Sequence, residues 1–182
     1  MLPLYDLYFV SSNVHKFKEV KVILNNFGIN IGFFKSKLSE IQSDSLIEIA
    51  NSKAKQAFLK CKKPVIVEDD GLFIDSLNGF PGPYSSYVFK TIGNKGILKL
   101  LKLQRKAKFV SIISFCDQKN IKIFQSSLIG SISEKISGAG WGYDPIFIPI
   151  NQKKTFAQLE IKNTLSHRFK SLKKFSSWYL DR

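Results

Sequence analysis

The sequence predicts a single α/β domain with a sheet of mixed strand direction. Segments with helical spacing of apolar residues alternate with short apolar runs along the first half of the chain. Farther on, two strand-like runs at 108–115 and 121–132 are joined only by a turn at 118–120. The 182 residues allow a hydrophobic core of normal size, so we assign one domain to 1–182.

In the first half of the sequence, the residue pattern predicts alternating strands and helices. Ser11-Ser12-Asn13 follow the first strand and can cap a helix, which Gly28 ends. Ser45 and Glu48 form a capping box for a second helix. The predicted strands here are Leu4 to Val10, Ile29 to Phe34, Pro64 to Glu68 and Leu72 to Leu77.

The second half predicts a loop, a helix, two strands and a closing helix. Asn78 to Tyr84 is a loop because two prolines and two glycines occur there. Leu98 and Leu101 indicate a helix, residues 137–149 are rich in glycine and aromatic residues, and Leu165 to Leu180 closes the chain as a helix.

Composition restricts the class of function. The net charge is +14, with 28 basic and 14 acidic residues, and such a surface attracts phosphates of nucleotides or nucleic acids. The alternative interpretation is that the lysines only keep the protein soluble. No apolar run approaches the ~20 residues of a membrane span, and the N-terminus lacks the basic region of a signal peptide. Cys61 and Cys116 lack metal-ligand spacing, so we expect buried thiols in a reducing cytoplasm.

Three adjacent acids, Glu68, Asp69 and Asp70, end a predicted buried strand. Side chains alternate along a strand, so Asp69 should point away from the other two. Adjacent carboxylates repel unless a cation joins them, and Mg²⁺ typically takes one or two carboxylates plus substrate phosphates. We therefore favour a functional site here over a solvated strand end.

Other motifs are weaker when taken singly. The junction from Ser11 to Lys16 could bind a phosphate at a helix N-terminus, or it could be an ordinary cap. The segment Gly138 to Pro145 could hold a flat aromatic ligand against its glycines, or it could be a packed loop. Ser166-His167-Arg168 offers donors that suit a 6-oxopurine, although a lone histidine such as His167 is more often structural.

Taken together, five segments resemble the inosine triphosphate pyrophosphatase family, which hydrolyses non-standard purine nucleoside triphosphates. The matching segments, which span nearly the whole chain, are SSNVHK, LSEIQ with the helical stretch ending in Lys53, VEDDGLFIDSLNGFPGPY, GWGYDPIF and KNTLSHRF. The residues in these segments are most similar to those of archaeal and eukaryotic members of the family.

The resemblance implies an elongated α/β fold with a long central mixed sheet flanked by helices, two lobes and an active-site cleft between them. It implies Mg²⁺-dependent cleavage of ITP, dITP or XTP to the monophosphate and pyrophosphate by a cytoplasmic homodimer. It also implies no membrane and no specific nucleic acid as partner.

The resemblance implies roles for individual residues. Asp69 would be the general base, and Glu40 with Asp69 would bind the metal. The remaining substrate-binding residues divide between phosphates (Ser11, Asn13, Lys16, Lys53 and Asp70) and the purine (Trp141, Gly142, Tyr143, Asp144, Lys162, His167 and Arg168).

Some residues depart from the family pattern, and other functions compete. Asp70 stands where the family usually has Ser or Thr, and Trp141 replaces the usual Phe. The alternatives are a Maf-like nucleotide pyrophosphatase that prefers pyrimidines and a basic nucleic-acid-binding module, although the latter does not explain the acid cluster.

Overall fold

The computed structural model describes residues 5–160 and 162–182, with only the backbone at 162 and 163. Two 3₁₀ turns, Asp75–Leu77 and Phe156–Gln158, accompany the regular elements. In chain order, those elements are β1 (Tyr8–Ser11), α1 (Val14–Asn25), β2 (Gly32–Lys35), α2 (Leu46–Cys61), β3 (Val65–Ile74), β4 (Pro81–Gly82), α3 (Ser85–Thr91), α4 (Gly93–Leu100), β5 (Lys106–Cys116), β6 (Ile121–Ile132), β7 (Phe147–Pro149), α5 (Lys162–Leu165) and α6 (His167–Leu180).

Within the described residues, seven strands form one mixed sheet, which confirms the predicted fold class. The order is β2-β1-β3-β5-β6-β7, and β4 pairs with β3 outside this path. Strand β1 runs parallel to both β2 and β3, whereas the β3–β4 and β6–β7 pairs are antiparallel. Strand β3 therefore lies inside the sheet, and its side chains reach helices on either face.

The chain divides into two compact units. The first contains residues 5–69, 111–126 and 168–182, and the second contains 70–110 and 127–167. In the first unit, α1 and α6 cover one face of the sheet through a core that includes Val20, Leu172 and Phe175. On its other face, the alanines of α2 pack against Val65 and Val67 of β3.

The second unit has its own apolar core. Leu72, Val88 and Ile97 bring β3, α3 and α4 together, and Phe109 and Phe147 add an aromatic pair from β5 and β7. This core holds the 141–147 segment, because Tyr143, Ile146 and Phe147 are buried in it.

Strand β3 differs from the prediction of two separate short strands. Acidic residues and glycine are uncommon in strand interiors, and 69–71 holds two acids and Gly71. Instead β3 runs unbroken for ten residues. Gly71 is needed there because a Cβ would lie 2.5 Å from the carbonyl oxygen of Gly82 on β4.

Other elements were predicted with different bounds. Helix α2 starts after Ser45 as predicted, and the Ser45 hydroxyl accepts a hydrogen bond from the Glu48 N–H at 3.3 Å. The Glu48 carboxylate, however, accepts a hydrogen bond from Ser43 at 2.7 Å instead of closing the box on Ser45. The helix α3 was missed, and the predicted first residue of β1, Leu4, lies outside the described residues.

Two predictions from composition concern the cysteines and membrane-spanning helices. Cys61 and Cys116 are free and buried, which confirms the expectation of buried thiols, and burial raises the pKa of both. No helix in the described part of the chain is long and apolar enough to cross a bilayer.

Candidate active site

The β1–α1 junction forms a capped helix N-terminus. The Asn13 side-chain oxygen accepts hydrogen bonds from the N–H groups of His15 at 2.9 Å and Lys16 at 3.2 Å. The Asn13 N–H donates in turn to the Ser11 hydroxyl at 3.0 Å. This first turn contains Lys16 and no acid, so it keeps the positive potential of a helix N-terminus.

Lys53 joins two of the predicted carboxylates. Its ammonium lies 2.5 Å from Glu40 Oε1 and 2.5 Å from Asp69 Oδ1. Lys53 is buried on the inner face of α2, because the small side chains Ala50, Ala54 and Ala57 let this helix pack closely on the sheet. The structure therefore brings together three residues that the sequence places 13 and 16 positions apart.

Asp69 is a buried carboxylate with one oxygen uncommitted. It is 8% exposed, and its Oδ2 accepts no hydrogen bond from any residue that the structure describes. Burial raises the pKa of Asp69 to about 6, although Lys53 and Lys16 oppose the shift. A carboxylate with this pKa is ionised at neutral pH and can still accept a proton, as a general base must.

Glu68, the neighbour of Asp69, lies on the opposite face of β3, as strand alternation predicts. Its side chain is 0% exposed and accepts hydrogen bonds from Arg168 Nε to both oxygens at 2.8 Å. The Ser111 hydroxyl donates to the same carboxylate at 2.9 Å, and the Lys16 ammonium lies 3.9 Å away. Arg168 also binds Glu19 of α1. We call Glu19, Glu68, Ser111 and Arg168 the buried ion network.

Arg168 was predicted from the resemblance to read the purine. The structure places Arg168 in the first unit, 1% exposed, where its guanidinium binds the carboxylates of Glu68 and Glu19. Its role toward a purine stays a prediction.

The predicted base-binding residues lie in the second unit, except Arg168. Residues 141–144 form a turn in which Tyr143 and Asp144 are buried and Trp141 is half-buried. His167 is 4% exposed and stacks on Phe109 with ring centroids 4.6 Å apart. Asp70 is half-buried in β3, and the side chain of Lys162 lies outside the described structure.

The carboxylates of Glu40 and Asp69 fit a divalent metal ion that takes its remaining ligands from outside the protein. The described residues contain no cluster of three or more His, Cys, Asp or Glu that could hold a metal unaided. Glu40 is 63% exposed at its side chain, and Asp69 has the uncommitted Oδ2. Two carboxylate oxygens of this kind are what Mg²⁺ typically takes from protein in phosphate chemistry.

The family model that matches the chain decides its membership. The model described as the Ham1 family covers residues 7–178. The chain belongs to the Ham1 family. The match confirms the resemblance inferred from the five sequence segments.

Relatives and solved structures agree with this membership. The chain is 48% identical over 177 residues to the dITP/XTP pyrophosphatase of Methanopyrus kandleri, with 94% of each chain covered. It is 46% identical over 174 residues to the dITP/XTP pyrophosphatase of Saccharolobus solfataricus, covering 93% of this chain and 91% of the relative. The HAM1 protein from Coxiella burnetii superposes with a TM-score of 0.86 at 26% identity, covering 98% of this chain and 100% of the other. The Staphylococcus aureus Ham1 protein superposes with a TM-score of 0.78 at 29% identity, covering 96% of this chain and 98% of the other.

Sequence reasoning missed several residues that hold the site. Glu19 and Ser111 belong to the buried ion network, but Glu19 lies 149 positions from Arg168 and Ser111 lies 43 positions from Glu68. No local pattern could pair them. Glu19 gave one usable signal, since it lies three residues after Lys16 and so on the same side of α1.

Proposed function

We propose that this protein hydrolyses non-standard purine nucleoside triphosphates (ITP, dITP and XTP) to the monophosphate and pyrophosphate. Family membership and the relatives named dITP/XTP pyrophosphatase support the reaction class. The observation that carries the proposal is the contact of Lys53 with both Glu40 and Asp69, beside the uncommitted oxygen of a buried aspartate. This arrangement combines a base with a cation for phosphates.

Asp69 is the proposed general base. It accepts a proton from water as the water oxygen bonds to the α-phosphorus, and the bond from that phosphorus to the bridging oxygen breaks. The products are the nucleoside monophosphate and pyrophosphate. The raised pKa of Asp69, about 6, supports this role because the proton acceptor is matched to neutral pH.

Glu40 and Asp69 are the proposed ligands of Mg²⁺. When bound, the ion neutralises phosphate charge, so that a nucleophile can approach an otherwise anionic centre. The Lys53 ammonium contacts both of these carboxylates, and a bound triphosphate offers it an additional set of acceptors.

The proposed phosphate-binding residues are concentrated at the start of α1 and on α2. Lys16 and Lys53 supply positive charge, and Ser11 and Asn13 hold the β1–α1 junction in shape. Asp70 is assigned to the substrate on the resemblance alone. A carboxylate at this position repels a phosphate unless a cation lies between them.

The proposed purine-binding residues account for selectivity. A 6-oxopurine presents an acceptor where adenine presents an amino donor, so donors in the pocket suit the first and are left unpaired against the second. The residues that the resemblance assigns to the purine are Trp141, Gly142, Tyr143, Asp144, Lys162, His167 and Arg168.

The test is pyrophosphate release from ITP, XTP, GTP, ATP, dTTP and UTP, with Mg²⁺ and with EDTA. We expect ITP and XTP to be hydrolysed well above ATP, and only with the metal. Equal rates for ITP and ATP would contradict the selectivity, and a preference for dTTP or UTP would favour the Maf-like alternative. Salt-dependent binding to duplex DNA without hydrolysis of any nucleotide would favour the nucleic-acid-binding module.

We further propose that the enzyme acts as a homodimer in the cytoplasm. The family resemblance supports the dimer, and the two free cysteines suit a reducing compartment. Light scattering coupled to size exclusion gives the mass in solution, for which a 20.7 kDa particle would contradict the dimer.

A further inference from the structure

The helices α3 and α4 hold the 141–144 turn at two points within the second unit. The Asn94 side-chain amide donates a hydrogen bond to the carbonyl oxygen of Gly142 at 3.1 Å. The Tyr143 hydroxyl donates to the carbonyl oxygen of Ser85 at 2.9 Å. None of the sequence motifs includes Asn94 or Ser85, so these contacts add residues to the proposed purine site.

The turn depends on outside contacts for its shape. Gly142 has a φ of +63°, a conformation that L side chains rarely adopt. The hydrogen bond that closes the turn, from the Asp144 N–H to the Trp141 carbonyl, is 3.4 Å long and therefore weak. Asn94 binds the carbonyl of the residue between them, so it fixes the peptide that joins Gly142 to Tyr143.

The side chain of Asn94 carries an energetic cost, because one of its polar atoms is buried without a partner in the part of the chain that the structure describes. Its Oδ1 is buried and accepts no hydrogen bond from the residues that the structure describes. A buried acceptor without a hydrogen-bond partner is destabilising. Among the described residues, this amide hydrogen-bonds only to Gly142, which argues that the contact serves the turn rather than overall stability.

We propose that Asn94 is a positioning residue that determines specificity for 6-oxopurines by fixing the 141–144 turn. The inference rests on the proposed function, because it concerns the residues assigned to the purine. Loosening the turn removes contacts that the preferred base makes and that adenine does not make. The ratio of kcat/KM for ITP to that for ATP therefore falls.

The experiment compares Asn94→Ala and Asn94→Asp with the wild-type protein and with Asn25→Asp. Aspartate keeps the shape of asparagine but faces the Gly142 carbonyl with an acceptor, so it is expected to be the more severe change. Asn25 is exposed at the end of α1 and undergoes the same chemical change as a matched control.

The expected result is a loss that depends on the base. A neutral hydrogen bond of this kind corresponds to about a fivefold loss in kcat/KM for ITP in Asn94→Ala, carried mainly by KM. The kcat/KM for ATP changes less, and Asn25→Asp matches wild type. Simple destabilisation would scale the rates for both substrates equally, leaving their ratio unchanged. An unchanged ratio in both folded Asn94 variants would overturn the proposal.

Hydrogen exchange of the ligand-free protein separates this inference from the proposed function. The amides of Tyr143 and Asp144 should exchange faster in Asn94→Ala than in wild type, while Asn25→Asp leaves them unchanged. Exchange that is equal in all variants would overturn the positioning role, whether or not the wild type is active. If the wild type releases no pyrophosphate from any purine triphosphate, the proposed function fails, and the specificity of Asn94 fails with it.

Discussion

The Lys53 ammonium lies 2.5 Å from Asp69 Oδ1, where the lysine is on α2 and the aspartate is on β3. This contact keeps positive charge beside a carboxylate that burial would otherwise neutralise. The proposed chemistry depends on this balance between the burial of Asp69, which favours the neutral acid, and the charge of Lys53, which favours the carboxylate.

Replacing Asp69 by Asn tests the base directly. Asparagine keeps the shape of the side chain but cannot accept the proton, so we expect kcat to fall by about 100-fold or more. Pyrophosphate release from ITP gives the rate, and circular dichroism checks that the fold is intact. Turnover at the wild-type rate would remove Asp69 from the role of base.

The pKa of Asp69 predicts a pH dependence of both charge and stability. In the metal-free protein, a ¹³C NMR titration should place the pKa of this carboxyl at about 6. Because the folded state raises the pKa above the ordinary 3.8, ionisation destabilises the fold, and stability falls as pH rises from about 4 to about 6.

The same pKa shift can be measured by comparing the stabilities of wild type and Asp69→Asn. The variant does not titrate at this site, so its free energy of unfolding should rise relative to that of wild type by about 2 kcal/mol between pH 4 and pH 7. Urea denaturation at both pH values measures this difference. A pH-independent difference would mean that Asp69 ionises normally in the folded protein.

Replacing Lys53 by Gln should raise the pKa of Asp69 further, because the largest opposing charge is lost. We expect the activity at pH 7 to fall by about tenfold or more, with partial recovery at higher pH as Asp69 ionises. The pH–rate profile of kcat checks this shift. Lys55→Gln, on an exposed position of the same helix, is the control and should leave the profile unchanged.

Glu68 should contribute to stability through the buried ion network. Glu68→Gln removes one carboxylate from Arg168, and breaking a buried pair typically costs about 3 kcal/mol or more. Urea denaturation measures the loss. Asp75→Asn is the matched control, because Asp75 pairs with Lys106 at 3.4 Å on the surface, where both side chains are more than half exposed. Its cost should be under about 1 kcal/mol. Equal costs for the two variants would contradict a stabilising network.

The sequence predicted the elements with strong local signals. Helix α2 was found because a capping serine and a run of alanines identify its start and inner face. The strands β5 and β6 were found because a polar turn separates them, and Asp117 closes that turn by accepting hydrogen bonds from Lys119 and Asn120.

Local patterns failed where distant partners decide the structure. The run of acids suggested the end of a strand, yet β3 continues because Arg168, 100 positions away, satisfies Glu68 inside the protein. The same limit applies to Asn94, whose partner Gly142 is 48 positions away. Helix α3 was missed because the proline- and glycine-rich loop before it hid the start at Ser85.

Glu68 and Asp69 share one peptide bond, yet they serve opposite faces of β3. Any shift of backbone that follows a change at the first position also moves the second, so their mutational effects should not be additive. In a library that randomises both positions under selection for activity, tolerated residues at one should therefore depend on the residue at the other. A substitution that one position accepts in the wild-type background can therefore be rejected once the other position has changed.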